Sequence, residues 1–374
     1  MNPKQLLVGV LIGTRPEAIK QAPLILEAAN NFPRIRPVVI CTGQHRELAR
    51  ESLSDFGISI DVDLDIMQQG QTLSYILSSI VQKLDNLFEK DPLDAILVQG
   101  DTTSTLAGAL AGFHRHIPVG HVEAGLRTYN LEEPFPEELN RQLVTRAALY
   151  HFAPTQSAKD ALIRENISPD KIWVTGNTVI DSLNYIASDT RCAAPSCLTD
   201  EFLRQPFFLV TCHRRENRGE GISSVCNAVK RLLQAYPEIS CVFPTHPSPY
   251  VRQPVLEHLS GINRALVTDP FEYSKLVWCL KNAHFVLTDS GGIQEEAPTF
   301  GTPVLVARET SERPEGVTAG CARLVGTNED LIVKECSRLM DDEVAYASMA
   351  NSANPYGDGT AAHSILNILE RNIT

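Results

Sequence analysis

The sequence predicts an α/β protein made of two doubly wound parallel sheets. Short runs rich in Val, Ile and Leu alternate with longer amphipathic segments. The runs are apolar throughout rather than at alternate positions, which is the pattern of strands buried on both faces. A length of 374 residues is too great for one typical domain and suits two. In the first half the predicted strands are Leu6–Ile12, Pro37–Thr42, Ala95–Gln99, Pro118–Val122 and Leu149–Ala153. In the second half they are Phe207–Thr211, Ser240–Pro244, Ala265–Thr268, His284–Thr288, Pro303–Ala307 and Ala322–Gly326. The stretch from Asp189 to Pro206 breaks the alternation and reads as the hinge between two Rossmann-like domains, 1–185 and 186–359. Near the end, Asn354-Pro355-Tyr356-Gly357-Asp358-Gly359 is a turn signal. A last helix follows from about Ala361 to Leu369, and residues 360–374 are expected to pack back on the first domain.

Composition narrows the function classes. Hydrophobic residues make up 43% and mean hydropathy is −0.10, which describes a soluble chain with a full core. A formal charge of −12 and a pI near 5.3 argue against nucleic acid or an anionic membrane as partner. No apolar stretch approaches the roughly 20 residues that span a bilayer. Met1-Asn2-Pro3-Lys4-Gln5 lacks signal-peptide character, so a cytoplasmic protein is expected. The nine cysteines are scattered, with no Cys-x-x-Cys pair, and are expected to be free thiols.

The most informative segment is Asp289-Ser290-Gly291-Gly292-Ile293-Gln294-Glu295-Glu296-Ala297-Pro298. A buried strand leads into a Ser-Gly-Gly turn that opens a helix, and unsatisfied N–H groups at a helix start attract anions. Two glycines let a phosphate approach the backbone, and an acid one turn on can accept from sugar hydroxyls. Together they suggest a pocket for a nucleoside diphosphate carrying a sugar. An ordinary strand-to-helix turn with dipole-matched acids has the same pattern.

In open α/β sheets ligands bind outside the carboxyl ends of the strands. That rule gathers Gly13-Thr14-Arg15-Pro16-Glu17, Gly100-Asp101-Thr102-Thr103, and His121, Glu123 and Arg127 from the first half. From the second it gathers His213-Arg214-Arg215-Glu216-Asn217, His246, the Ser290 turn and Arg308 to Glu315. Two sheets with facing functional ends would put these in one interdomain cleft. Arg15 is placed to reach a phosphate bidentately, or else pairs with Glu17 on the surface. Asp101, Glu123 and Glu137 are the acids to consider for proton transfer, since carboxylates crowded in one cleft cannot all stay ionised cheaply. The structural alternatives are a helix cap for Asp101 and an i,i+4 ion pair of Glu137 with Arg141. His213, trailed by two arginines, suggests an anion within reach, and His45 follows a strand end. His114 and His116 form a His-x-His away from the strand ends and are not read as a metal site. Gly9-x-x-x-Gly13 lacks dinucleotide spacing and no P-loop occurs, which disfavours NAD binding and kinase chemistry.

These residues resemble the non-hydrolysing UDP-N-acetylglucosamine 2-epimerases. The motifs that carry the resemblance include Gly13-Thr14-Arg15-Pro16-Glu17-Ala18-Ile19-Lys20, Gly100-Asp101-Thr102-Thr103, His121-Val122-Glu123-Ala124-Gly125-Leu126-Arg127-Thr128 and Pro136-Glu137-Glu138. Thr175-Gly176-Asn177-Thr178, His213 to Asn217, Asp289 to Pro298 and Glu312-Arg313-Pro314-Glu315 continue it in family order. The resemblance implies the GT-B fold and interconversion of UDP-GlcNAc and UDP-ManNAc without cofactor or metal. It implies elimination of UDP to 2-acetamidoglucal followed by re-addition, in a homodimer that supplies precursors for cell-surface polysaccharide. Matched by motif, Asp101, Glu123, Glu137 and His213 correspond to the catalytic residues. Arg15, Ser290, Gly291 and Arg313 correspond to diphosphate contacts, with Gly292 in the same turn, and Glu296 to the ribose-binding acid. Lys20 and Arg141 match further cleft residues, while Phe271 and Tyr273 stand where uracil is held.

The match departs from the family at one place. Some bacterial members hold a second UDP-GlcNAc as activator, and Gln44, Glu137, Arg214 and His246 match residues that touch it. Glu47 and Gly70 stand where those members have Gln and Arg, which should weaken such a site. Three other readings keep the fold: a glycosyltransferase, a hydrolysing relative that releases ManNAc and UDP, and a UDP-sugar sensor. Three carboxylates beside an anion count against the sensor.

Overall fold

The computed structural model describes residues 5–44, 46–311 and 313–373. His45 and Glu312 therefore lie outside the described residues. The chain forms two compact units, 1–185 with 356–374, and 186–355.

Unit 1 is built on a seven-stranded parallel sheet of order β3-β2-β1-β4-β5-β6-β7. Its strands are β1 (Leu6–Ile12), β2 (Ile35–Cys41), β3 (Val62–Asp63), β4 (Ala95–Gln99), β5 (Val119–Val122), β6 (Tyr150–Ala153) and β7 (Ile172–Val174). Unit 2 has a six-stranded parallel sheet of order β10-β9-β8-β11-β12-β13. Here the strands are β8 (Phe207–Thr211), β9 (Ser240–Pro244), β10 (Ala265–Thr268), β11 (Val286–Thr288), β12 (Val304–Val306) and β13 (Ala322–Leu324). Both are doubly wound α/β sheets, as the continuous apolar runs require. Every residue of β4, β5 and β8 is buried. The runs predicted from the sequence recur with ends shifted by a residue or two, and β3 and β7 are additional.

The helices cover both faces of each sheet. In unit 1 the helix Arg15–Asn31 and the last helix, Ala361–Asn372, share one core layer with Val8, Val10 and Ile12 of β1. The last helix starts on Asp181, whose carboxylate accepts from the amides of Ala361 and Ala362 (3.3 and 2.9 Å). Burial holds the Asp181 pKa up at about 6 despite those bonds. In unit 2, Phe208, Val210 and Phe243 pack beneath Val225, Val229 and Leu232 of the helix Glu220–Ala235. All nine cysteines are unpaired. No helix among the described residues is long and apolar enough to cross a membrane.

The two sheets share a topological feature that positions function. In each, strand order reverses beside the first strand, at β1/β4 in unit 1 and at β8/β11 in unit 2. Loops leaving such a pair diverge to opposite faces and open a crevice at the carboxyl ends.

Candidate active site

In unit 1 the crevice at β1/β4 is walled by the segments that follow β1, β4 and β5. Arg15 is half-buried at the first position of the helix after β1. It is not Glu17's surface partner. Glu17 is buried (2% exposed), and its carboxylate is taken up by the turns that follow β1 and β4.

Asp101 lies in the turn after β4. Thr102, rather than Asp101, caps the helix Thr103–His114, through its hydroxyl and the Thr105 amide. The Asp101 carboxylate is instead held by Arg141 at 2.5 Å, and its backbone carbonyl accepts from the Asn140 side chain at 2.9 Å. Glu123 follows β5 at a φ of 66°, a left-handed conformation that turns its side chain out of the strand direction. It is buried and receives Lys20 Nζ at 2.6 Å and the Gln99 amide at 2.5 Å. Lys20 and Arg141 thus each fix one of the candidate acids.

Glu137 is the exception. It is half-buried at the start of the helix Glu137–Ala147, and its side chain forms no hydrogen bond or ion pair among the described residues. Arg141 pairs at i,i+3 with Glu138 (3.4 Å), not at i,i+4 with Glu137. Glu138 is fully buried and accepts from the amides of Thr128 and Tyr129 (3.0 and 3.2 Å). Burial alone would raise its pKa, yet the bonds from Thr128 and Gln142 and the charge of Arg141 bring it below the ordinary carboxylate value. The helical register carried this signal. Glu138, Arg141 and Thr145 recur at three- and four-residue steps on the buried face, while Glu137 lies off it.

The strands beneath carry two buried histidines in register, His121 on β5 and His151 on β6. Burial drives His121 to a pKa of about 4 and His151 to about 3, so both are neutral at pH 7. His121 Nε2 lies 2.8 Å from the Gly100 carbonyl, just before Asp101. Gln44 ends a neighbouring loop, where its side-chain oxygen accepts from the Ser104 hydroxyl at 2.6 Å. Glu47 and Gly70 are exposed.

In unit 2 the crevice at β8/β11 is organised by Asp289, which is fully buried. One carboxylate oxygen accepts from the amides of His213 and Arg214 (2.9 and 2.8 Å) and from the Asn217 side chain (2.9 Å). The other lies 3.5 Å from His213 Nδ1. Asp289 therefore moulds the loop that presents His213. Although 41% of the His213 side chain is exposed, the protein around the ring lowers its pKa, opposed by the Asp289 charge. The His213 and His246 rings lie nearly parallel, with centroids 6.3 Å apart.

Ser290 follows β11 and stands at the N-cap position of a helix of six residues, Gly291–Glu296, without a side-chain capping bond. Its amide is turned onto the Thr288 hydroxyl at 2.9 Å. Gly291 is buried and Gly292 half-buried. The Glu296 carboxylate lies over Gly292, 3.5 Å from where a Cβ would stand. Arg313 opens the helix Pro314–Ala319 and reaches Glu295 at 2.5 Å, both nearly buried. Phe271 is half-buried and Tyr273 buried where the helix Tyr273–Asn282 begins. Sequence reasoning missed Glu17, Gln99, Glu138 and Asn140 in unit 1, and the anchoring by Asp289 and Glu295 in unit 2.

Two doubly wound parallel sheets, each with polar loops at its switch point, are the architecture of a two-domain protein with the GT-B fold. The family model described as UDP-N-acetylglucosamine 2-epimerase matches residues 27–370. A curated UDP-N-acetylglucosamine 2-epimerase of Escherichia coli O157:H7 is 46% identical over 97% of this chain and 98% of its own length. That of Bacillus subtilis is 46% identical over 97% and 94%. The crystal structure of the Neisseria meningitidis UDP-GlcNAc 2-epimerase bound to UDP-GlcNAc is 43% identical, with a TM-score of 0.89 over 98% of this chain and 100% of that one. The chain belongs to the UDP-N-acetylglucosamine 2-epimerase family, whose members are isomerases.

Proposed function

We propose that this enzyme interconverts UDP-GlcNAc and UDP-ManNAc by breaking and re-forming the bond from the anomeric carbon to UDP. The observation that carries the reading is the pair of acids after adjacent strands, Asp101 and Glu123, each fixed by a cation from another element. The hydrogen on C2 of the sugar has no neighbouring carbonyl to acidify it, so simple deprotonation is too costly. Loss of UDP from C1 together with the C2 proton gives 2-acetamidoglucal. Re-addition with the proton delivered to the other face gives the epimer. That route needs acid/base groups on two faces of the ring and positive charge at the leaving group.

In this reading Asp101, Glu123 and Glu137 handle the protons. Glu137 has no competing partner to leave before it meets substrate. Arg15, Arg313, the Ser290 hydroxyl and the amides of Gly291 and Gly292 take the diphosphate, with His213 beside the departing oxygen. Glu296 binds the ribose and Phe271 packs on uracil, while Lys20 and Arg141 hold the acids. The enzyme works as a cytoplasmic homodimer and supplies ManNAc-type precursors for cell-surface polysaccharide. A second nucleotide-sugar site, formed by Gln44, Arg214 and His246, is weakened by Glu47 and Gly70.

Proton NMR of UDP-GlcNAc with the enzyme in D₂O tests the chemistry. UDP-ManNAc should appear, with deuterium entering C2 of both sugars. A product of free sugar plus UDP, or epimer without deuterium, overturns the proposal. Scrambling of an oxygen isotope between the bridging and non-bridging positions of the diphosphate tests whether the C1–O bond opens.

A further inference from the structure

We infer that Glu17 is a positioning residue that locks the Arg15 turn to the Asp101 turn, so that the group holding the diphosphate and the group moving the proton keep one geometry. The inference rests on the functional reading above and extends it to a side chain that touches neither substrate nor reacting atoms.

Glu17 stands at the third position of the helix Arg15–Asn31, and its two oxygens face different strands' loops. One accepts from the amides of Gly13 and Thr14 at 2.8 and 2.6 Å, closing the turn that carries Arg15. The other accepts from the hydroxyls of Thr102 and Thr105 at 2.7 and 2.8 Å, in the turn and first helical residues after Asp101. Capping its own helix needs only the first set, so the second is an added tie across β1 and β4. Gly13 presses against the Ser104 side chain, where a Cβ would collide, so the two turns are already in contact and little slack remains.

The tie reaches further. The Thr105 hydroxyl shares its one proton between Glu17 and the Gln99 carbonyl, 2.7 Å away, and the Gln99 amide holds Glu123. One turn along the helix from Glu17, Lys20 holds Glu123 from the other side. A single helix thus sets the position of both Asp101 and Glu123 relative to Arg15. Burial raises the Glu17 pKa, opposed by its four donors. A displacement of about 1 Å at a reacting group is worth about a hundredfold in rate, which gives such a splint kinetic weight.

The test separates the two arms. Thr102→Val with Thr105→Val removes the arm to the Asp101 turn, together with the Thr102 helix cap and the Thr105 contact to Gln99, and leaves the arm to the Gly13 and Thr14 amides in place. Turnover should fall by about tenfold or more, with UDP affinity by calorimetry within about threefold of wild type. Thr102→Ser with Thr105→Ser keeps both hydroxyls and should restore the rate. Glu17→Leu cuts both arms, so turnover and UDP affinity should fall together, each by about tenfold, at a temperature well below its melting point. Wild-type turnover in the valine pair overturns the inference. So does a Glu17→Leu enzyme that melts earlier yet binds and turns over normally, and if Glu17→Leu does not fold, the threonine pairs decide. Arg15→Lys and Asp101→Asn are run alongside. If they leave UDP affinity and turnover untouched, the functional reading has failed, not the tie between the turns.

Discussion

The two switch points solve the same problem, a carboxylate at the end of a buried strand, in different ways. In unit 1 Asp101 and Glu123 end on the flexible cations Arg141 and Lys20. In unit 2 Asp289 ends on two backbone amides and a buried asparagine. A carboxylate bound to backbone amides cannot leave them without unfolding its loop, because each abandoned donor would be buried unsatisfied. One bound to a long side chain can exchange that partner for a proton or a substrate hydroxyl at small cost. The difference supports the proposed placing of proton transfer in unit 1 and gives Asp289 an architectural part, and it can be broken experimentally.

The largest expected effect is in unit 1. Asp101→Asn keeps the shape and an oxygen for Arg141 but removes a proton acceptor. Turnover should fall by about 10²–10⁴ while UDP affinity changes little. Deuterium wash-in at C2 and calorimetry with UDP read the two quantities, and unchanged turnover sinks the assignment. The matching change in unit 2, Asp289→Ala, should act on stability first. Three donors lose their acceptor, of which the Asn217 side chain is buried and the two amides partly so, at about 1–3 kcal/mol for the buried one and less for the others. A lowered melting temperature with weakened UDP binding is expected. A variant that melts as wild type and loses only turnover would make Asp289 a proton carrier after all.

How much of this was legible in the sequence follows from what each feature depends on. The strands next to the switch points showed themselves because continuous apolar runs have no other soluble explanation. β3 and β7 are two and three residues long and only partly buried, so no continuous apolar run marks them as it does the equally short but fully buried β11 and β12. Candidate residues after strands were found because loop position follows from strand position. Their partners were not, because pairing depends on distance across the fold. Arg141 can reach an acid three or four residues back equally well, and only burial of the Glu138 face decides. Glu17 read as a surface mate for Arg15 because nothing local announces that Thr102 and Thr105 lie within reach.

A smaller effect comes from pH, since burial holds histidines of both units below their ordinary pKa, furthest in unit 1. His121 and His151, both in unit 1, have pKa values of about 4 and about 3 in the fold, against 6.5 when exposed. Between those values the unfolded chain binds protons that the native chain does not. Stability is therefore lost as pH falls below about 6.5. Asp181, at about 6, and Glu17, raised by burial, run the other way: each gains stability as pH falls toward the ordinary carboxylate range. The two histidines outweigh Asp181, leaving a net loss of about 2 kcal/mol between pH 7 and pH 5. Melting temperatures at the two pH values measure it, and His151→Leu should shrink the difference. Equal melting temperatures in the wild type would show that the two rings are protonated without cost.

The smallest effect concerns the proposed second nucleotide site, where the units again differ. In the proposed site Arg214 and His246 of unit 2 are the residues expected to touch the nucleotide, whereas Glu47 and Gly70 of unit 1 stand where the resemblance expects Gln and Arg. Glu47 is exposed in the first turn of the helix Arg46–Asp55, so the proposed site would carry an acid beside its diphosphate. Gly70 has a φ of 70° with nothing within 4 Å of an added Cβ, so an arginine there meets backbone strain but no clash. That strain costs about 1–2 kcal/mol for an L-residue, and Gly70→Asn is the control because asparagine tolerates the conformation best. Wild-type rates should rise hyperbolically with UDP-GlcNAc. Glu47→Gln with Gly70→Arg should make the curve sigmoidal, by restoring a cation and removing a like charge beside the phosphates. A sigmoidal wild-type curve would mean that Arg214 and His246 suffice, and that the unit 1 side contributes shape rather than charge.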